Sequence, residues 1–435
     1  MKDVFISPTM AAALKSVGFL QSVFTCLVFC LPPQASAQSE IFEEWNFSGF
    51  GTLGYAQSDK YSDFILKRNI SQRSQKIEDN GFLVDSRLGF QVSKEFFTDW
   101  DLVTQLVLKE KVHNNVENSL EMAFVRYQFN PMWSVRFGRM VLDSFLLSDH
   151  RNIGFSYHWV RPPTEFYGWI PYNHYDGIKA SFELGDFERY LRLDVFSGKS
   201  DATVNIGYGD GGASYNYVNA NSIIGMGITW EKGDLALRSY SSKFKIADEI
   251  AAIKQLKALT STPAVQSNWP QAQQIAQDYG LENADYTYYS LGLLWEPGTW
   301  MLQAEVSDVN SSSFGTYSGQ RGYVHLAYRF ATFLPHISYS RSWDDTDYAY
   351  ESAPPGFEDL EAVIIDNELS GLIKQYTISL GLRWDFASQK ALKLQCDRTT
   401  IKEGSFGIFP TPKGVPRIMP EAIRTWCSAT FDWLF

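Results

Sequence analysis

Residues 375–386 read QYTISLGLRWDF. Tyr376, Ile378, Leu380, Leu382, Trp384 and Phe386 fall on one side of an extended chain. Gln375, Thr377, Ser379, Gly381, Arg383 and Asp385 fall on the other. A period of two is the mark of a β-strand, and this length suits a tilted strand crossing a bilayer. Residues 323–330, YVHLAYRF, repeat the pattern, with Val324, Leu326, Tyr328 and Phe330 opposite Tyr323, His325, Ala327 and Arg329. So does the end of the chain, TWCSATFDWLF at 425–435. Cys427, Ala429, Phe431, Trp433 and Phe435 share a face there, and Ser428, Thr430 and Asp432 share the other. Chain ends usually tolerate polar tails, so an apolar row carried to the last residue needs an apolar medium beside it.

Reading outward, the same alternation predicts sixteen strands, near 45–56, 81–93, 99–110, 118–129, 132–139, 173–183, 188–197, 220–231, 234–243, 284–295, 299–308, 319–331, 334–344, 372–385, 389–399 and 424–435. Every second connection is short, as in NPM, EKG, EPG, ATF and ASQ. The longer ones fall at 57–80, 140–172, 198–219, 244–283, 345–371 and 400–423. Short turns at one end and long loops at the other belong to a transmembrane barrel, and an even strand number returns both termini to one side. Trp100, Trp133, Trp295, Trp300 and Trp384 lie near the short turns, as an interfacial aromatic girdle would.

Bulk composition agrees. Mean hydropathy is −0.21, yet aromatic residues make up 15 %, as expected when apolar and polar positions alternate. No stretch after Gln38 is long and apolar enough for a membrane helix. With 38 Lys and Arg against 49 Asp and Glu, the net charge is −11, which argues against nucleic acid as a partner. The N-terminus reads as a signal peptide over residues 1–37. Lys15 precedes the apolar run 17–31, and Ala35-Ser36-Ala37 fits a cleavage site, so the barrel domain would span 38–435. Initiation at Met1 or at Met10 stays open. Cys26 and Cys30 would leave with the leader. If the last two strands place Leu392 opposite Phe431, Cys396 falls opposite Cys427, and the two can pair in an oxidising compartment. No cysteine or histidine cluster points to a metal, and nothing calls for a cofactor.

With the apolar face outward, inward charges include Arg87, Lys109, Arg126, Arg136, Lys179, Arg192, Arg238, Arg329, Arg383 and Lys393. Asp85, Asp101, Asp194, Glu305, Asp385, Asp397 and Asp432 oppose them. Dry burial of a charge costs several kcal/mol, so these groups call for a water-filled channel. Residues 140–172 break the pattern of polar loops, being long, aromatic and apolar. Such a loop is expected to fold into the barrel and narrow it. Asp143, Asp149 and Glu165 would then face Arg87, Arg126 and Arg136, setting a transverse field across the opening.

FSGFGTLGY at 47–55, VRFGRM at 135–140 running into the long loop, SYHWVRPPTEFY at 156–167, YDGIKASF at 175–182 and the terminal aromatic strand resemble the Gram-negative outer-membrane general porin superfamily. The resemblance covers essentially the whole chain after the leader, on short motifs. It implies a homotrimer of sixteen-stranded barrels in the outer membrane, among its lipid and lipopolysaccharide, passing small hydrophilic solutes. By the same likeness Asp143, Asp149, Glu165, Arg87, Arg126 and Arg136 are the eyelet residues. The connection 111–117 is shorter than the subunit latch that such porins often carry there.

Three further features remain. Ile246, Ile250, Ile253 and Leu256 predict a helix, followed by a second ending at Gly280. Residues 345–371 are acidic, either a solvated run or a divalent-cation site bridging lipopolysaccharide. His336 and Ser338, on one strand face, leave an outer-membrane lipid hydrolase as a rival, although that face is the inner one. No GxSxG, HExxH or P-loop motif occurs, and an enzyme is not expected. A channel specific for carboxylates, oxyanions or sugars is the nearer alternative.

Overall fold

The computed structural model describes residues 45–58, 66–73, 81–113, 115–186, 188–205, 215–313, 318–345, 352–370, 372–405, 407–408 and 420–435. The expected leader at 1–37 lies outside the described residues, as do 406 and 409–419 of the connection 400–423. The first eight strands are β1 (Trp45–Ser58), β2 (Arg87–Phe96), β3 (Trp100–Lys109), β4 (Leu120–Asn130), β5 (Trp133–Val141), β6 (His174–Gly185), β7 (Arg189–Asn205) and β8 (Tyr215–Lys232). The others are β9 (Leu235–Ile246), β10 (Asp285–Trp295), β11 (Trp300–Ser311), β12 (Gly319–Tyr328), β13 (Phe333–Asp344), β14 (Lys374–Ala387), β15 (Lys390–Ile401) and β16 (Ala422–Leu434). They follow one another in sequence order around a closed barrel, each described pairing antiparallel, and β1 closes on β16 with Thr52 opposite Asp432.

The two faces are inverted relative to a water-soluble barrel. On β14 and β15, Leu380 and Leu394 are each 58 % exposed while Ser379 and Gln395 are buried. On β13, Ile337 and Tyr339 are exposed, and His336, Ser338, Ser340 and Ser342 are buried. Burial normally runs the other way, so the outer surface requires an apolar solvent. Near the short turns it carries paired rings: Trp100 with Tyr127, Trp133 with Phe182, Trp300 with Tyr328 and Phe333 with Trp384, with centroids 4.6 to 5.7 Å apart.

Every expected strand has its counterpart, with two main local differences. Residues 81–86 form turns rather than the start of β2. β7 and β8 run past the expected ends as a two-stranded ribbon, 200–205 pairing with 215–220. There, polar residues on both faces hide a strand from an alternation reading. Leu392 does lie opposite Phe431 across β15 and β16. Cys396 lies opposite Cys427, and the two form a disulfide on the outer face.

The helices are short: α1 (Val116–Ser119), α2 (Thr164–Tyr167), α3 (Ala251–Thr260), α4 (Pro263–Asn268), α5 (Gln271–Asp278) and α6 (Glu358–Ser370). The expected pair over 244–283 is thus three helices, broken at Ser261-Thr262-Pro263 and again at Trp269-Pro270. Ile253, Leu256, Trp269 and Ile275 form a small core that also receives Ile364, Leu360 and Val363 of α6. The acidic run therefore contains a helix that its charges masked. Its apolar positions at 360, 363 and 364 follow helical spacing.

Candidate functional site

Between β5 and β6 the chain leaves the wall at Leu142 and returns at His174, making two 3-10 turns, at Ser148–His150 and Gly154–Ser156, and then α2. Among the described residues, its polar contacts with strands go to polar-face side chains. Leu146 N–H donates to Glu305 on β11 (2.8 Å), and Tyr288 and Ser290 of β10 donate to Ser144 O (2.9 Å each). Trp159 Nε1 donates to Ser338 on β13 (2.8 Å), and Val160 N–H to Gln395 on β15 (2.8 Å). Arg383 of β14 reaches Phe155 O (2.7 Å) and Tyr157 O (3.0 Å). Gly154 lies so close to Thr52 and Asp432 that a Cβ there would overlap both side chains. Only glycine permits this approach.

This seating changes the fate of the inward charges. The sequence called for water around them, but many are covered and paired instead. Asp85 accepts from Arg161 (Nη2 2.5 Å, Nε 3.1 Å) and from Arg68 (2.9 Å), and is fully buried. Lys393 contacts Asp432 (3.2 Å), Gly154 O (2.5 Å) and Trp159 O (3.0 Å). Glu305 accepts from Tyr323 (2.7 Å) and from the Tyr167 hydroxyl. A buried charge is tolerable when its partners are supplied in good geometry, and the segment carries many of them.

The six residues predicted for the opening do not all meet. Asp143 receives Lys179 Nζ of β6, which also lies 3.5 Å from Asp194. Asp149, in the first 3-10 turn, is exposed. Enclosure in the barrel would raise its carboxyl, but Lys179, Arg238, Arg192 and Arg136 hold it below its ordinary value. Burial pushes the Asp143 carboxyl up despite Lys179, with Asp149 and Asp194 adding to the effect. Arg136 acts electrostatically on both loop acids, and its guanidinium lies 5.3 Å from the Phe124 ring centre. Arg126 stands opposite Arg136 across β4 and β5, but its carboxylate is Asp101 on the wall (Nε 2.5 Å). Arg87 is spent on the segment itself, on Asn152 O (2.5 Å) and the Tyr157 hydroxyl. Glu165 sits apart, buried against β13 and β14. It accepts from Ser340 (2.7 Å), Gln375 (2.6 Å) and the Thr377 hydroxyl.

Asp149 is thus the accessible acid of the segment; of the cations that act on it, Arg136 is partly exposed, Arg192 pairs with Asp194 (3.0 Å) and Arg238 donates to Leu146 O (3.1 Å). Ser93, Glu95, Asp101, Phe124, Arg126 and Arg136 line a cavity of about 270 Å³. Sequence reasoning put Lys179, Arg192 and Arg238 on the inner face but did not pair them with Asp143, Asp194 and Leu146 O, which only the path of the segment and the wall register decide. It also missed that three of the six histidines converge, His158 Nδ1 lying 3.4 Å from His325 Nε2 and the His325 and His336 rings 5.2 Å apart. Ser338, the rival nucleophile, hydrogen-bonds His325 Nδ1 (2.9 Å) rather than His336, and is 2 % exposed beneath Trp159.

No family model and no curated protein matches the chain. Among solved structures, it is similar to the outer membrane channel DcaP of Acinetobacter baumannii, at 13 % identity over 92 % of this chain and all of that one, with a TM-score of 0.50. An anion-selective porin from Comamonas acidovorans matches at 11 % identity over 90 % of this chain and 99 % of that one, with a TM-score of 0.49. Salmonella typhi OmpF, in complex with daunomycin, matches at 12 % over 90 % and 97 %, with a TM-score of 0.49. The chain has a closed sixteen-stranded antiparallel barrel fold, similar to that of the outer membrane channel DcaP.

Proposed function

We propose that the protein is an outer-membrane channel, exported after loss of residues 1–37, through which small hydrophilic solutes and ions diffuse passively past a constriction formed by 140–172. The observation that carries this reading is the seating of 142–173 on polar inner-face side chains, as Trp159 on Ser338 and Val160 on Gln395, inside a barrel whose outer face is apolar. Opposite charges across a narrow aqueous passage set a field that sorts solutes by charge and dipole. The long connections would face outside and the short turns the periplasm, as in other such barrels. Assembly as a homotrimer is part of the proposal and rests on the likeness in sequence motifs and fold. The decisive measurement is single-channel conductance in a planar bilayer, with the reversal potential taken across a salt gradient. Stepwise conductance closing in threes is expected, and a folded protein that carries no current would overturn the reading.

A substrate-specific channel for carboxylates or oxyanions is the second reading. It is favoured by the cations Lys179, Arg192, Arg238 and Arg136 on the inner face of β5 to β9, of which Arg136 has no carboxylate within ion-pair distance among the described residues. Half-blocking of the current by millimolar carboxylate or phosphate would select it over the general channel. A lipid hydrolase fits less well, because Ser338 lies buried on the inner face and lipid meets the outer one.

A further inference from the structure

We propose that the protein binds one neutral, single-ring carbonyl compound in an apolar cavity inside the barrel, between the wall of β7 to β12 and the returning arm of 140–172. The proposal goes beyond the channel reading and does not depend on conductance. It begins with a change of character along the inner face. Ser242 on β9, Ser290 on β10 and Ser307 on β11 are inward and buried. The next inward positions toward the long connections are Phe244, Tyr288 and Val309, followed on β9 by Ile246, and all four are buried too. On β7 and β8, Val204 and Val218 continue this apolar block. A water-filled lumen calls for the reverse.

Part of the block is covered by the segment. Tyr172 stacks on Phe244 with ring centres 5.7 Å apart and an interplanar angle of 14°, and the Trp169 ring lies 6.1 Å from that of Tyr288. The packing does not close. A cavity of about 230 Å³ remains, bordered by the apolar wall, by Ile170 and Tyr172 of the segment, and by Ile250 and Leu281 of the connection between β9 and β10. An apolar void deprives its lining of dispersion contacts. Dry apolar cavities of about 150 Å³ take up benzene, so this one has room for a ring with a short substituent.

The polar atoms at its border select the substituent. Tyr172 Oη, Trp169 Nε1 and Arg321 Nε belong to residues that line the cavity, and each is buried with no hydrogen-bond partner among the described residues. Tyr172 is 6 % exposed and Arg321 4 %. All three are donors, and a buried donor left unmade costs free energy that an incoming acceptor recovers. Charge, by contrast, is already matched. Arg321 pairs with Asp344 (2.5 Å), and its guanidinium lies 4.1 Å from the Trp169 ring centre. A carboxylate would therefore lose its hydration without gaining a free cation. The occupant that fits is apolar in body, uncharged, and supplied with an acceptor, as an aryl ketone is.

The test is fluorine NMR of the folded full chain in lipid nanodiscs, free of detergent tails that would compete for the cavity. The probes are 4-fluoroacetophenone, 4-fluorotoluene and 4-fluorobenzoate, with empty nanodiscs to measure partition into lipid. One saturable site per barrel is expected for the ketone. The toluene, which lacks the acceptor, should bind about three- to tenfold more weakly, the worth of one hydrogen bond, and the benzoate more weakly still. Tyr172→Phe should weaken the ketone severalfold and spare the toluene. Val218→Trp, which fills the cavity, should abolish binding of both, with Val309→Phe taking its place if that variant does not fold. Lys243→Gln, on the outer face, should change nothing. Retained heat-modifiable migration on gels shows which variants fold. Ketone uptake no greater than by empty nanodiscs, benzoate bound as tightly as the ketone, or unaltered binding by a folded cavity-filling variant would each overturn the proposal.

Discussion

The two halves of the inner wall began with the same kind of sequence and ended in different states. Near the short turns of β2 to β5 the polar face stays open, Arg126 paired with Asp101 at the cavity that Arg136 also borders. Along β10 to β16 the polar face is covered by 142–172, and its charges are closed into contacts such as Glu305 with Tyr167 and Tyr323, or Lys393 with Asp432, as is Asp85, in the turns before β2, with Arg161 and Arg68. The difference shows that an inward charge in a barrel is not in itself a pore residue. It lines the path only where no segment has been supplied to satisfy it.

The covered wall should respond most to mutation. Asp85→Asn leaves Arg161 and Arg68 facing each other in a buried site, and removing one partner of such a pair costs about 3–5 kcal/mol. Unseating of the segment should raise conductance and lower the temperature of heat-induced gel-mobility change; an unchanged midpoint would mean that water already reaches this site. Glu165→Ala strands the donors of Gln375, Ser340 and Thr377, at about 1–3 kcal/mol for buried groups left unpaired. Noisier current from this variant, without a change in ion preference, would place Glu165 in seating rather than in selection.

Acidification should act next. Burial, followed by Arg383, His336, Lys393 and Arg329, holds the His158 imidazole well below its ordinary value, so it is neutral when seated. An unseated segment would titrate normally, near 6.5. The depressed value means that seating is fully favourable above the ordinary value. It weakens as pH falls below it, by about 1.4 kcal/mol per pH unit for one proton. His325 of β12 faces the same ring, and His336 of β13 packs against His325. Open-channel noise should therefore grow below about pH 6, and His158→Gln should flatten that dependence.

The open wall should show the smallest stability effects and the clearest selectivity effects. Asp149→Asn should leave stability within about 0.5 kcal/mol, since its side chain is exposed. It should also shift the reversal potential toward anions by exposing Arg136, Arg192 and Arg238. Arg136→Gln should shift it the other way. A null result for both would detach the cluster from the ion path.

Much of the barrel was legible because its signal is local. Period-2 alternation in 375–386 or 323–330 needs no knowledge of neighbours. Placing Cys396 opposite Cys427 required one assumption about register. The candidate site was legible only in part. Parity assigned Asp85, Arg136 and Lys179 to the inner face, but nothing in the chain said which would meet the segment and which would meet water. Asp143 chose Lys179, Glu165 chose β13 and β14, and Arg87 was taken up by Asn152 and Tyr157. The α6 helix was hidden because acidic residues dominate the stretch in which its three apolar positions lie.

By itself the sequence determined that sixteen amphipathic strands must stand between an apolar medium and a polar interior, because alternation permits no other burial of both faces. It also determined that 140–172 is too apolar to stay in water. Only the tertiary structure decided which inward charges became mutual partners of that segment and which stayed exposed at the opening. The reason is that contacts at sequence separations such as that of Trp159 with Ser338 exist only once the barrel has closed and brought its far wall within hydrogen-bond reach.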